Sequence, residues 1–139
     1  MHEISELKQD AEASIRDVMH FTKKESNDEI KADRALNSFA VAIRTLDDLN
    51  VFAHGLRNQR YKTSATVYKD GQAPTKTDMR QLLNKIIHAR HFKWELDQEP
   101  PSIICSAMDS EDWKMMVFEV RDLEKFVRDH LAQVAVDAT

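Results

Sequence analysis

TDMRQLLNKIIHARHFKWEL, residues 77–96, changes its hydrophobic period half-way along. Met79, Leu82, Leu83, Ile86 and Ile87 recur at steps of three and four, the stripe of an amphipathic helix. Phe92, Trp94 and Leu96 then alternate with His91, Lys93 and Glu95, the period of a strand with one buried face. The helix follows Pro74, with Thr75 or Thr77 as its cap. A helix that runs straight into a strand predicts an α+β domain.

Outward from this segment, Glu99-Pro100-Pro101 stops the strand, and SIICSAM and WKMMVFEV read as two more strands around the turn-forming Asp109–Asp112. Leu123, Phe126, Val127, Leu131 and Val134 mark a closing helix. On the other side, Ile4, Leu7, Ala11, Ile15, Val18 and Thr22 predict one helix. Ser26-Asn27-Asp28-Glu29 has capping-box form, and Ile30 through Leu56 carry a second stripe as far as Gly55. The expected order is α-α-α-β-β-β-α in a single domain, 1–139. It divides into a helical hairpin over 1–56, a basic loop over 57–76, and a helix, three-stranded antiparallel meander and C-terminal helix over 77–139. Residues 57–76, RNQRYKTSATVYKDGQAPTK, show no clear period. Such a stretch is functional, mobile, or conceals a short element near Ala65–Tyr68.

With 42% hydrophobic and 32% charged residues, the chain has the composition of a folded globular protein rather than a disordered one. No apolar run has the length of a membrane span, and acids stand in MHEISELKQD where a signal peptide carries basic residues, so a cytoplasmic location without membrane association is expected. Cys105 is the sole cysteine, which excludes an internal disulfide and a cysteine zinc site. No metal and no cofactor are expected. The net charge of −4 conceals a segregation. Residues 1–54 hold seven basic against eleven acidic residues, 55–94 nine against two, and 95–139 four against eleven. Either the middle segment faces an anion, or it pairs with acids of its own domain.

Arg80, Asn84 and His88 stand at i, i+4 and i+8, neighbours on one side of the helix, with His91 joining them if the helix reaches it. Such a row supplies a fixed cation, an amide and a group titrating near neutral pH. In phosphodiester cleavage these would serve charge stabilisation, orientation and acid–base transfer. The plainer reading is a polar helix face, with Arg80 bonded to a neighbouring carboxylate. His88 and His91 lack a third metal ligand nearby. Arg57, Arg60, Lys62, Lys69 and Lys76, interleaved with Tyr61 and Tyr68, form a candidate nucleic-acid or anion-binding set.

The Asn84-Lys85-Ile86-Ile87-His88 stretch resembles the motif of HEPN domains, in which an arginine, often followed by a polar residue, precedes a histidine by four to six positions. The resemblance implies Asn84 and His88 as the matching polar residue and histidine, an RNA-cleaving or RNA-binding role, and motifs paired across a dimer. Leu83 stands where the family places its arginine, and seven residues separate Arg80 from His88. Two function classes follow. The first is a small intracellular macromolecule-binding protein (an interaction, inhibitor or accessory protein) that acts without turnover. It would bind a protein partner, or form a homodimer through residues 1–56. The alternative is a HEPN-like RNA-binding protein or endoribonuclease using Arg80, Asn84 and His88.

Overall fold

The computed structural model describes residues 2–135, so residues 136–139 of the expected C-terminal segment lie outside it. The chain opens with helices α1 (His2–Phe21) and α2 (Glu29–Asp48), followed by strands β1 (Lys62–Tyr68) and β2 (Thr75–Asp78) and helix α3 (Met79–Ile87). Strands β3 (Ala89–Glu95), β4 (Ser102–Ala107) and β5 (Met115–Glu119) follow, and α4 (Val120–Asp129) begins directly at the end of β5. The fold is α+β, as the change of period at residues 87–92 implies. The expected three-stranded meander is the larger part of a five-stranded sheet in the order β2-β1-β5-β4-β3, and every pairing is antiparallel.

The stretch expected as a basic loop, 57–76, is therefore mostly ordered sheet. A short 3₁₀ turn over Gln59–Tyr61 leads into β1, and the first residues of β2 close it. The hairpin expected to reach residue 56 ends at Asp48. Asn50, left-handed at φ 60°, closes α2, its amide donating to the Asp47 carbonyl and the Val51 amide to the Leu46 carbonyl, whereas the expected cap Gly55 (φ 75°) and His54 (φ 64°) lie beyond the helix and turn the chain toward the sheet. The caps differ too. Asp28, not Ser26, accepts from the Lys31 amide at 3.1 Å to start α2. Asp78, not Thr75 or Thr77, accepts from the Gln81 amide at 2.8 Å to start α3. In both cases the aspartate sits directly before the helix and its short carboxylate reaches the orphan amide three residues on.

One face of the sheet builds the core. Ala65, Val67, Trp94, Ile103, Cys105, Met116 and Phe118 point inward, and pack with Leu82, Leu83 and Ile86 of α3 and with Leu36, Phe39, Ile43 and Leu46 of α2. Helix α2 buries a broad stripe from Ala32 to Leu46, and α1 packs against it through Ala11, Ile15 and Val18. Helix α4 closes one end of the sheet, where Phe126 stacks against Phe52 with ring centroids 5.4 Å apart and meets Tyr61 at 6.4 Å. The Cys105 thiol is fully buried, and burial pushes its pKa up, so it is held as an unreactive thiol in the core.

Helix α2 is pinned at both ends by carboxylates. Near its start, Asp33 accepts a 2.6 Å hydrogen bond from the Trp94 indole of β3. Near its end, Asp47 accepts from the Leu56 amide at 3.0 Å and from Arg80 at 2.8 Å. Burial raises the Asp33 pKa, opposed by the Trp94 bond and by His91, and the net shift is upward. A folded-state pKa above the unfolded one means that the ionised carboxylate weakens the fold at neutral pH. That cost disappears as the pH falls toward the ordinary value of about 3.9. Asp33→Asn, which keeps an acceptor for Trp94, is expected to be more stable than the parent at neutral pH in urea unfolding. The gap should close on acidification; a parent that is the more stable at neutral pH would show that the charged hydrogen bond outweighs desolvation.

Candidate functional site

The row Arg80, Asn84 and His88 lies along α3, but its members do not converge. A helix rises about 1.5 Å per residue, so Arg80 and His88 stand roughly 12 Å apart along the axis. Arg80 donates from one nitrogen to both Asp47 and Asp48, each at 2.8 Å, and its side chain is only 16% exposed. Burial works to lower its pKa, but the hydrogen bonds it donates to Asp48 and Asp47 overcome this and hold the guanidinium above its ordinary range. Its Nε is buried without a partner among the described residues. Arg80 thus fastens α3 to the end of α2. Asn84 is half-buried, and His88 caps the C-terminus of α3 with its side chain 55% exposed. Nδ1 of His88 lies 3.7 Å from Glu111 Oε1 in the β4–β5 turn, too long for a hydrogen bond but close enough for a charge contact once the imidazole is protonated. His91 is on β3 rather than the helix, exposed on the opposite side of a bulge.

The segregated charge is resolved only in part within the domain. The acidic turn Asp109–Asp112 folds back on the basic block, where Lys69 pairs with Asp112 at 3.4 Å and Arg90 with Asp109 at 3.9 Å; in the reverse sense, Lys114 of the acidic segment pairs with Asp70 at 3.0 Å. Lys69 is thereby separated from the other basic candidates, at the far end of β1. Lys85 is partly buried over the Trp113 ring, 5.4 Å from its centroid, and its pKa is lowered, chiefly by burial and then by Lys69.

Arg57, Arg60, Lys62 and Lys76 gather at the start of β1. A bulge between Lys62 and Thr66 displaces the strand from its partner. In the bulge, Thr63 donates to the Thr77 carbonyl at 3.0 Å, while Ser64 donates from its amide at 3.2 Å and from its hydroxyl at 2.8 Å to Asp122 of α4. Asp122 also accepts from the Glu119 amide at 3.1 Å. The irregularity therefore hooks β1 to the first turn of α4 and turns Arg60 and Lys62 toward Lys125. Arg60, Lys62, Lys125 and His130 line a cleft of about 300 Å³, and Lys62 also borders a neighbouring depression of about 400 Å³ with Arg57 and Lys76. Lys125 is a member that charge counting misses, because it sits in the most acidic third of the sequence. Lys76 is engaged locally, donating to the Ser64 carbonyl at 3.0 Å and to Thr66 Oγ1 at 2.7 Å.

A third surface was not visible from periodicity alone: the outer face of the sheet. Pairing places Lys76, Thr66, Val117, Ile104 and Lys93 in one row across all five strands, with Tyr68, Met115, Ser106 and His91 in the next. Val117 and Ile104 do not join the core, and Met115 is 37% exposed. The helices pack on the opposite face. No described helix covers these rows.

No protein-family model, curated protein or solved structure matches the chain. Function has to be read from the geometry of these three surfaces. The clearest structural assignment among them is Arg80, whose removal leaves two carboxylates beside an empty site, one of them only 9% exposed. Arg80→Ala is expected to lower unfolding stability by roughly 3 kcal/mol, the low end for breaking a buried pair. Urea unfolding measures it, and a loss below about 0.5 kcal/mol, the range of an ordinary surface substitution, would remove the assignment.

Proposed function

We propose that the protein acts by binding another macromolecule without turnover, and that the outer face of the sheet receives a protein partner. The row Lys76–Thr66–Val117–Ile104–Lys93 carries this reading: an uncovered aliphatic centre with a cation at each edge. Aliphatic and β-branched side chains suit the desolvated middle of a protein interface. A single-stranded nucleic acid would need stacking rings, and Tyr68 is the one Phe, Tyr or Trp in these two rows. Four strand spacings separate the edge lysines, about 19 Å at roughly 4.8 Å each. The complementary partner surface is apolar in the middle, with carboxylates toward both sides.

Two other readings each have one supporting observation. Self-association through α1 and α2 is favoured by Ile30 and Val41, exposed by 68% and 42% on α2. An RNA-cleaving role of the HEPN-like kind is favoured by the exposed His88 beside Glu111. Its proposed arginine, Arg80, is occupied by Asp47 and Asp48, and this makes binding without turnover the better-supported function.

Val117→Lys places a charge at the centre of the outer row, where the side chain is outside the core, so the fold should lose no more than about 1 kcal/mol. The expected outcome is loss of a partner that the parent protein retains and that cross-links to Lys76 and Lys93. Full retention of that partner by Val117→Lys would overturn the assignment of the face. For the nuclease reading, His88→Ala should abolish RNA cleavage by the purified protein; an absence of cleavage in the parent, or cleavage that survives the substitution, removes His88 from that role.

A further inference from the structure

We infer that the basic groove at the start of β1 is a second binding site, adjoining the outer sheet face at Lys76, and that it takes the phosphate backbone of a nucleic-acid duplex. The first support is the state of its cations. What sets them apart is convergence: they line two adjoining hollows that share Lys62, while Lys69, Arg80, Arg90 and Lys114 are taken up by carboxylates. Arg57, Arg60, Lys62 and Lys125 are exposed and make no such pair among the described residues. Four free cations converging in a protein of net charge −4 are a local feature, not a consequence of bulk charge.

The acids that line the same two hollows, Asp122, Asp129 and Asp78, each have another partner. Asp122 is occupied by Ser64 and by the Glu119 amide, Asp78 caps α3, and Asp129 pairs with Arg128 at 3.3 Å. The His130 ring packs edge-on against Tyr61 at 4.8 Å, and its pKa is lowered by burial first, with Arg60 and Lys125 adding to the effect against Asp129. Both cations therefore act on one imidazole, which places them on the same cleft.

The extent of the surface identifies the ligand class. From the 400 Å³ depression at Arg57 and Lys76 the cations continue through Lys62, which borders both hollows, to Arg60 and Lys125. A track of this kind follows a chain of phosphates rather than enclosing a single one. The ring that could stack on a base is out of reach: Tyr61 is 5% exposed and its hydroxyl donates to the Ala53 carbonyl at 3.0 Å. Without a stacking ring, recognition falls on the backbone, which favours a duplex over a single strand. A membrane surface fits less well, because the exposed large apolar residues, Ile30, Val41, Leu49, Met108 and Met115, all lie outside the lining of the groove.

Fluorescence anisotropy with a labelled RNA or DNA duplex of about 20 bp tests this on the intact protein. Neutralising three or four phosphates predicts that affinity falls about a hundredfold between roughly 50 and 200 mM salt. Arg60→Ala, Lys62→Ala and Lys125→Ala should each reduce the log–log salt slope by about one, with circular dichroism unchanged. Val117→Lys should leave duplex binding intact, which separates this site from the proposed protein-binding face. No duplex binding at the lowest salt, a salt slope unaltered in the triple variant, or tighter binding to phosphatidylserine vesicles than to either duplex would each overturn the inference.

Discussion

The arrangement of this domain depends on one carboxylate. Asp47, near the end of α2, accepts from Arg80 on α3 and from the amide of Leu56, six residues before β1. Leu56 is fully buried, and the residues that follow it carry Arg57, Arg60 and Lys62. A single side chain thus fixes the end of the hairpin, the helix that crosses the core, and the entry to β1. Asp33, fourteen residues earlier on α2, holds β3 through Trp94. Between these two contacts the helix is anchored over both the sheet and α3. The basic row once read as a catalytic candidate contains one of the anchors: Arg80 is a charge fixed by structure.

With the helices fastened to one face, the other face of the sheet is left without cover. An isolated two-layer α+β domain commonly leaves an antiparallel sheet solvated on one side, but such a face is usually polar. Here its middle is Val117, Ile104 and Thr66, with the lysines only at the edges. The same sheet presents a different chemistry at the start of β1. There the bulge and the Ser64–Asp122 bonds draw β1 to α4 and bring cations from distant parts of the sequence together. The sheet thus presents two surfaces of different character, a face with an aliphatic centre and a cationic groove.

Much of this was legible in the residues, and the failures have physical causes. The change of period between Ile87 and Phe92 locates the α3–β3 junction, because both elements bury one strongly apolar face. The strands at residues 102–107 and 115–119 were visible for the same reason. Strand β1, KTSATVY, has only Ala65 and Val67 as fully inward residues and is interrupted by a bulge, while β2, TKTD, has no aliphatic residue at all. β1 is held by pairing with β5, some fifty residues away, and β2 is an edge strand that pairs with β1, which no local pattern records. The same limit applies to the sites. Arg80, Asn84 and His88 are recognisable as a row from spacing, but the carboxylates that occupy Arg80 lie on another helix. Lys125 is hidden in an acidic segment, and only the approach of α4 to β1 adds it to Arg60 and Lys62.

Native-state hydrogen exchange of Asp47→Ala, compared with the parent protein, tests the central claim most directly. The Leu56 amide loses its acceptor and Arg80 loses one of its two carboxylates. Protection should fall sharply at Leu56 and through residues 57–64, and far less in β4 and β5, which pair with each other independently of that contact. A uniform loss of protection across the sheet, or none at Leu56, would contradict the view that Asp47 sets the geometry of the basic groove.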